Sequence, residues 1–323
     1  MADESADTEK SKNLNDLFSR EKVAELPHFM AMLGYLSQTY GIPRYGFRNK
    51  SLRYHYTDAT GLLGILMSNR VWATDARFLN DPSEGHYLPQ KLLQIFESRE
   101  RGKTSAAKVF LDGVRNHLAH PRDQNTTFCI SFCANGDLLS QWRWYGSFGR
   151  GYALGFELDM KPHFQIGGLY DVCYGDGPLE LMADDLLDIY LAASEKWGTH
   201  MSDDISAEAA ALFRTLAWQF KDPNYSEEQE SRIIIGRDNR KDYLFEKEAP
   251  IHFRAKGGDI VPYIPLAFDP IMGDNNAALL PIKEIIVGPG VDFERSYASI
   301  GRLLADNDYE GVQIRQSAIP FRG

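Results

Sequence analysis

The chain has 323 residues, of which 43% are hydrophobic and 25% are charged. These proportions are typical of a globular protein and exclude a disordered, collagenous or low-complexity chain. A chain of this length predicts one large domain or two smaller ones. The formal net charge of −10 argues against a dedicated nucleic-acid coat or a membrane-surface protein.

The negative charge is concentrated in one window of the sequence, residues 176–230. This window holds 13 acidic and three basic residues, so it carries the whole net charge while the rest of the chain is balanced. Apolar residues recur here at helical spacing, and the acidic side chains fall mainly on the opposite face. The pattern is typical of helices with one solvated side.

Three cysteines, Cys129, Cys133 and Cys173, form an odd and sparse set, which is typical of a reducing compartment without a disulfide framework. Cys129 and Cys133 fall in a strand pattern, where residues four apart lie about 13 Å from each other, too far to bind one metal ion. We therefore interpret them as small buried apolar residues. No leader-like or membrane-spanning run is visible, so we expect a cytoplasmic protein without membrane contact.

The first part of the chain is expected to lie outside the main domain. Residues 1–12 are polar and without pattern, which predicts a disordered tail. Apolar positions at helical spacing then predict accessory helices over 13–48, which could form a lid or a partner surface. The main domain is expected to cover 49–323. It opens with an alternating, aromatic-rich strand over 52–57, and Asp58 is suited to cap the helix that follows.

Strand and helix patterns then alternate irregularly along the chain. Helical spacing fits residues 83–119, 138–145, 178–220 and 293–306, with breaks expected near Pro89 and Gly102. Strand patterns fit residues 71–73, 126–133, 151–158, 169–174, 231–236, 259–265, 282–288 and 312–315. Strands interrupted by helical insertions indicate an α+β protein rather than one built of regular βαβ units.

Two groups of polar and aromatic residues could carry chemistry. His55 lies within the first strand, although a histidine there is more often a core or surface residue than a ligand-binding one. Ser131 lies on a later strand, and the helix after it carries Trp142 and Tyr145, which could form a stacking wall for a planar ring. Core packing is the alternative for these aromatic residues, and we interpret Trp144 as a core residue.

The sharpest cluster is a Glu-x-Glu-x-Arg sequence formed by Glu228, Glu230 and Arg232, which runs directly into an apolar strand. In a strand, these three side chains would point to one face. Two carboxylates so placed repel each other unless a cation lies nearby, and Arg232 is positioned to supply part of that charge. In an active site, one carboxylate can stabilise a cation while the other orients the substrate. An ordinary charged strand edge is the alternative.

The order of these clusters resembles the bacterial family known as domain of unknown function 2971, over about residues 52–320. The resemblance rests on Tyr-His-Tyr-Thr at 54–57, Leu-Asn-Asp-Pro-Ser-Glu at 79–84, Ser-Phe at 131–132, Trp-Arg-Trp-Tyr at 142–145, Glu-x-Glu-x-Arg at 228–232 and Ile-Val-Gly-Pro at 286–289. That family looks like a divergent branch of the ADP-ribosyltransferase superfamily. The resemblance implies an ADP-ribosyltransferase-like split core of mixed or antiparallel β-strands with helical insertions.

The resemblance also implies NAD as the co-substrate, with no metal. It makes Glu230 the catalytic residue and Glu228 the residue that orients the acceptor. The implied NAD-binding residues are His55 on the adenosine-ribose side, Ser131 near the nicotinamide ribose, Trp142 or Tyr145 in the nicotinamide pocket, and in addition Tyr56, Thr57, Asn80 and Arg232. This chain departs from the pattern at Cys133, where related strands often carry a second hydroxyl.

The resemblance therefore implies an NAD-dependent ADP-ribosyltransferase, or an NAD glycohydrolase with water as the acceptor. We expect the acceptor to be an unidentified macromolecule, protein or nucleic acid, and the protein to be a bacterial anti-phage or toxin-type effector that a partner could regulate. Two alternatives stay open. One is a non-catalytic module that binds a nucleotide or a partner. The other is a nucleic-acid-acting effector that contacts phosphates through Arg143, Arg150 and Arg232.

Overall fold

The computed structural model describes residues 36, 39–40, 51–81, 83–99, 101–121, 125–158, 168–197, 202–238, 250–256, 258–267 and 278–320. The predicted tail over 1–12 lies outside them, as do the predicted accessory helices over 13–48 apart from three helical positions. Within the described ranges, no helix is both long enough and apolar enough to cross a bilayer.

The described elements confirm the predicted α+β class. The strands are β1 (Ser51–Thr57), β2 (Val71–Asp75), β3 (Asn125–Cys133), β4 (Tyr152–Leu158), β5 (Gly168–Asp171), β6 (Cys173–Tyr174), β7 (Phe220–Lys221), β8 (Glu230–Asp238), β9 (His252–Lys256), β10 (Asp259–Leu266), β11 (Ile282–Val287) and β12 (Gln313–Gln316). The helices are α1 (Ala59–Ser68), α2 (Tyr87–Ser98), α3 (Ser105–Ala119), α4 (Leu139–Trp144), α5 (Gly177–Trp197), α6 (Ser202–Ala217) and α7 (Phe293–Asp306).

Ten of these strands form one mixed sheet in the order β12-β11-β4-β1-β3-β2-β10-β9, with β8 beside β3 and β5 beside β8. The pairs are antiparallel except β11 with β12. One edge of β3 meets two different strands, because β2 pairs with Phe128 and Cys129 while β1 pairs at Cys133. The sheet therefore divides at this edge, between Cys129 and Cys133.

The chain forms two compact units. The first, which we call the helical unit, consists of Met1–Arg44, Ser83–Gln124 and Cys173–Pro223, and α2, α3, α5 and α6 supply most of its core. The second, which we call the sheet unit, consists of Tyr45–Pro82, Asn125–Val172 and Asn224–Gly323 and contains the ten-stranded sheet. Their apolar clusters are separate: no buried residue of the helical cluster belongs to either cluster of the sheet unit within the described residues.

Side-chain alternation places the two apolar clusters of the sheet unit on opposite faces of the sheet. Phe128, Ile130 and Phe132 of β3 belong to the larger cluster, with β4, β10 and β11 residues around them. The smaller cluster contains Cys133 together with Tyr54, Tyr56, Trp142, Ala153 and Ile286. We refer to the sheet face that carries this smaller cluster as the upper face, because the predicted site residues Ser131 and Glu230 lie on it by register.

Local capping follows the sequence in part. Asp58 accepts a hydrogen bond from the Gly61 amide at 2.7 Å, so the predicted cap of α1 is confirmed. The expected break near Gly102 is also present, as a 3-10 helix between α2 and α3. The expected break at Pro89 is wrong, since Pro89 lies in the first turn of α2. Amides in a first turn have no intrahelical acceptor, so a proline costs little there.

Candidate functional site

The central predicted residues lie on three adjacent strands, and two of the three side chains share a sheet face. His55 lies on β1, Ser131 on β3 and Glu230 at the start of β8. Ser131 is opposite Arg232 in the β3–β8 register, and Cys133 is opposite Glu230. Directly opposed residues point to the same side of a sheet. Ser131, Glu230 and Arg232 therefore share the upper face.

Glu230 and Arg232 form a bidentate ion pair inside the protein. Arg232 Nε donates to Glu230 Oε1 at 2.6 Å, and Nη2 donates to Oε2 at 2.8 Å. The two residues are only 4% and 1% exposed. Strand alternation explains the contact, because residues i and i+2 project from one face. The fork geometry fixes the orientation of both carboxylate oxygens.

Glu228 is placed differently from the expectation that it shares this strand face. It ends a 3-10 helix over Pro223–Glu228, and β8 begins only at Glu230. The residue between them, Gln229, has a left-handed backbone with φ of 42°. This turn breaks the two-residue alternation, so the expected common face holds for Glu230 and Arg232 but is wrong for Glu228.

His55 lies where β1 and β3 separate. Tyr54 is opposite Cys133, so strand alternation turns the His55 side chain away from the upper face and towards Phe132, whose ring centre is 6.0 Å from that of His55. Its Nδ1 is 3.0 Å from the Ser131 carbonyl oxygen, an atom that only accepts, so Nδ1 carries the proton. Burial lowers the pKa of His55 to about 4, the Ser131 contact opposes this shift, and the charges of Arg254 and Lys256 add to it. The imidazole is therefore neutral at pH 7, with Nε2 as an acceptor.

The aromatic residues divide between core and surface in an unexpected way. Trp142 is fully buried, its ring meets Tyr56 edge-on at 4.9 Å, and its Nε1 donates to Asp137 at 2.8 Å. Tyr145 is half-buried against the same cluster. Trp144, in contrast, is 73% exposed, so its interpretation as a core residue is wrong. Tyr145 is thus the member of the predicted wall that keeps partial access to solvent.

The remaining predicted NAD-binding residues lie around this centre. Tyr56 is buried, and its hydroxyl donates to the Asn135 carbonyl at 2.9 Å and accepts from the Leu138 amide at 3.0 Å. Thr57 ends β1, half-buried. Asn80 is exposed in the bend after the 3-10 turn at 76–78, and no described contact links it to the three strands.

The structure adds two polar groups that the sequence reasoning missed. Beneath the upper face, Ser231 donates to Asp171 at 2.6 Å and accepts from Arg53 Nε at 3.4 Å. Next to β2, the β9–β10 hairpin presents Arg254 and Lys256, whose charges reach His55. The first group had no sequence signal beyond isolated polar residues in apolar strands. The second had a basic i, i+2 pair as a signal, but β9 itself was not predicted.

One comparison with known proteins gives a match. The family model described as "Protein of unknown function (DUF2971)" matches residues 141–233. This segment includes the last four residues of α4 and the Glu230–Arg232 pair, and it supports the resemblance to that family. No curated protein and no solved structure matches the chain.

Proposed function

We propose that this protein cleaves the bond between nicotinamide and ribose in NAD and transfers ADP-ribose to an acceptor or to water. The observation that carries the proposal is the adjacency of β1, β3 and β8, which carry His55, Ser131 and Glu230 in the strand order that the resemblance implies. Ser131 and Glu230 share the upper face, and His55 contacts the backbone of Ser131 from the other side of β1. The acceptor, the effector role and the cytoplasmic location stay predictions from the sequence.

The proposed reaction breaks the ribose–nitrogen bond, whose electron pair leaves with nicotinamide. An acceptor oxygen or nitrogen then forms the new bond to ribose and loses its proton. The ribose develops the positive charge of an oxocarbenium ion, which a fixed carboxylate stabilises. Glu230 is assigned this role. Both of its oxygens bind Arg232, so the proposal requires Arg232 to release one of them when the substrate binds.

The other two residues are assigned to binding. Neutral His55 has an unprotonated Nε2 that can accept a hydrogen bond from a ribose hydroxyl, while its Nδ1 stays anchored to the Ser131 carbonyl. The half-buried Ser131 hydroxyl lies on the same face as Glu230 and can donate to the nicotinamide ribose, whereas His55 is assigned to the adenosine ribose. Neither role requires a change in the protonation state of the residue.

The test is nicotinamide release from NAD by the full chain, followed by chromatography. The informative variant is Glu230→Gln with Arg232→Met, because it removes the carboxylate without leaving a buried cation unpaired. We expect release to fall by a factor of about 100 or more, while Glu227→Gln, which changes an exposed carboxylate nearby, keeps the wild-type rate. Wild-type turnover in the double variant would remove Glu230 from the reaction.

The burial of the ion pair favours one alternative, a module that binds a nucleotide without turnover. A carboxylate that is 4% exposed and fully engaged by Arg232 is suited to a structural role. This alternative predicts NAD binding without nicotinamide release. The same burial removes Arg232 from the phosphate contacts of the nucleic-acid-acting alternative, whereas Arg143 and Arg150 are exposed.

A further inference from the structure

A row of basic and aromatic side chains crosses the end of the sheet formed by β2, β10 and β9. We call it the basic strip and define it by Trp72, Thr74, Arg254, Lys256 and Tyr263. Tyr263 is opposite Thr74 between β10 and β2, and Arg254 is opposite Val261 between β9 and β10. Strand alternation therefore brings all five residues to one face. Thr74 in turn is opposite Cys129 of β3, so this is the upper face that also carries Ser131.

The side chain of Arg254 contacts Thr74, Trp72 and Tyr263, which fix its position on this face. Its Nη2 donates to Thr74 Oγ1 at 2.8 Å. Its guanidinium carbon lies 5.1 Å from the centre of the Trp72 ring and 5.6 Å from that of the Tyr263 ring. Its Nε is buried and has no acceptor among the residues that the structure describes. Buried donors are nearly always satisfied, so this Nε calls for an acceptor that binds there.

Among the residues that the structure describes, the two cations of the strip also lack carboxylate partners. Neither Arg254 nor Lys256 forms an ion pair within the described part of the chain, whereas Arg232 and Arg315 each bind a glutamate. The pKa values of Arg254 and Lys256 are both lowered, first by burial, and for Lys256 also by the like charge of Arg254. Asp58 partly offsets these shifts, and Asp259 faces Lys256 in the register without pairing with it.

We propose that the basic strip binds the phosphate groups of a nucleotide. A guanidinium with free donors and an ammonium two residues away match a phosphate with two negative charges. Beside the strip, the exposed ring of His252 on β9 lies with its centre 5.6 Å from that of the Tyr263 ring. These two rings can contact the base of the nucleotide. The assignment concerns binding and does not require bond cleavage, so it stands apart from the proposed reaction.

Calorimetric titration of ADP into the full chain tests the assignment. We expect ADP to bind, adenosine to bind at least about ten times more weakly, and both Arg254→Gln and Lys256→Gln to lose about tenfold in affinity for ADP. Neighbouring side chains partly desolvate the Lys256 ammonium, but the residue as a whole is exposed, so its substitution tests the site without threatening the fold. The control is Arg295→Gln, which removes an arginine side chain that is 88% exposed on α7 and should leave the affinity unchanged.

Several outcomes overturn the assignment. They are an absence of ADP binding, equal binding of ADP and adenosine, and unchanged affinity in both strip variants. Tighter binding of a short oligothymidylate than of ADP would assign the strip to nucleic-acid backbone instead of a free nucleotide. Nicotinamide release is measured in a separate assay. If the wild type releases no nicotinamide but binds ADP, and Lys256→Gln weakens that binding, only the proposed reaction is contradicted.

Discussion

Glu230 and Arg232 depend on each other for burial. Removing one partner of such a pair leaves an uncompensated charge inside the protein and costs about 3–5 kcal/mol, while replacing both with uncharged residues of similar volume is often neutral. We predict that Glu230→Gln lowers the free energy of unfolding by this amount and that adding Arg232→Met restores most of the loss. Urea denaturation measures both values. Equal stability of the single and double variants would contradict the prediction.

His55 links stability to pH. Its pKa is about 4 in the folded protein and 6.5 ordinarily, so between these values the unfolded chain binds the proton that the folded chain refuses. The contribution of His55 is complete above pH 6.5 and is lost as the pH falls towards 4. We predict that His55→Gln makes the decline of the melting temperature from pH 7 to pH 4 shallower. Parallel curves for variant and wild type would show that His55 titrates normally.

At this same scale, the sequence predicted contacts only where alternation alone decides them. Glu230 and Arg232 meet because they are two residues apart in one strand. Glu228 does not follow the strand alternation, because Gln229 has a left-handed backbone. A run of polar residues gives no sequence signal for such a turn. Trp144 was wrongly interpreted as a core residue, and Trp142 was left open between a stacking wall and the core, since a helix as short as α4 has no periodicity that indicates its buried face.

Among the elements, the loop between α4 and β4 holds an unfavourable backbone. Ser147 and Phe148 have φ of 51° and 54°, and the Phe148 side chain is 76% exposed. A bulky residue in the left-handed region costs about 1–2 kcal/mol, which glycine avoids. We predict that Phe148→Gly is more stable than Phe148→Ala by about 1 kcal/mol, although both lack the ring. Thermal unfolding of the pair checks this, and a more stable alanine variant would contradict it.

Most elements could be predicted because their apolar residues repeat with the period of a strand or helix. β9 could not, since four of its five residues are exposed and its sequence His-Phe-Arg-Ala-Lys shows no buried face. Its place in the sheet is fixed by pairing with β10, and the Gly-Gly sequence at 257–258 between the two strands is a local signal for such a hairpin that the sequence analysis did not use. The basic strip was missed with it, because Thr74 and Trp72, which contact Arg254, lie on β2, a strand distant in sequence.

In the whole molecule, charge and apolar cores are divided between the units. The helical unit carries a net charge of −7 and the sheet unit −3, so the proposed sites for anionic ligands belong to the less acidic unit. The chain passes from one unit to the other five times, after residues 44, 82, 124, 172 and 223. The sequence indicated the acidic window but not this interleaving, because each unit is assembled from three separate segments.

Each of the two units contains at least one buried cysteine whose thiol can be used to follow the opening of that unit. Cys129 and Cys133 lie in β3 of the sheet unit, and Cys173 lies in the core of the helical unit. A thiol reagent reaches a buried sulfur only when the surrounding structure opens. Alkylation followed by peptide mass spectrometry would therefore time the opening of the two units separately in one unmodified sample. A nucleotide bound to the sheet unit would slow the labelling of Cys129 and Cys133, and the native sequence needs no added probe for the experiment.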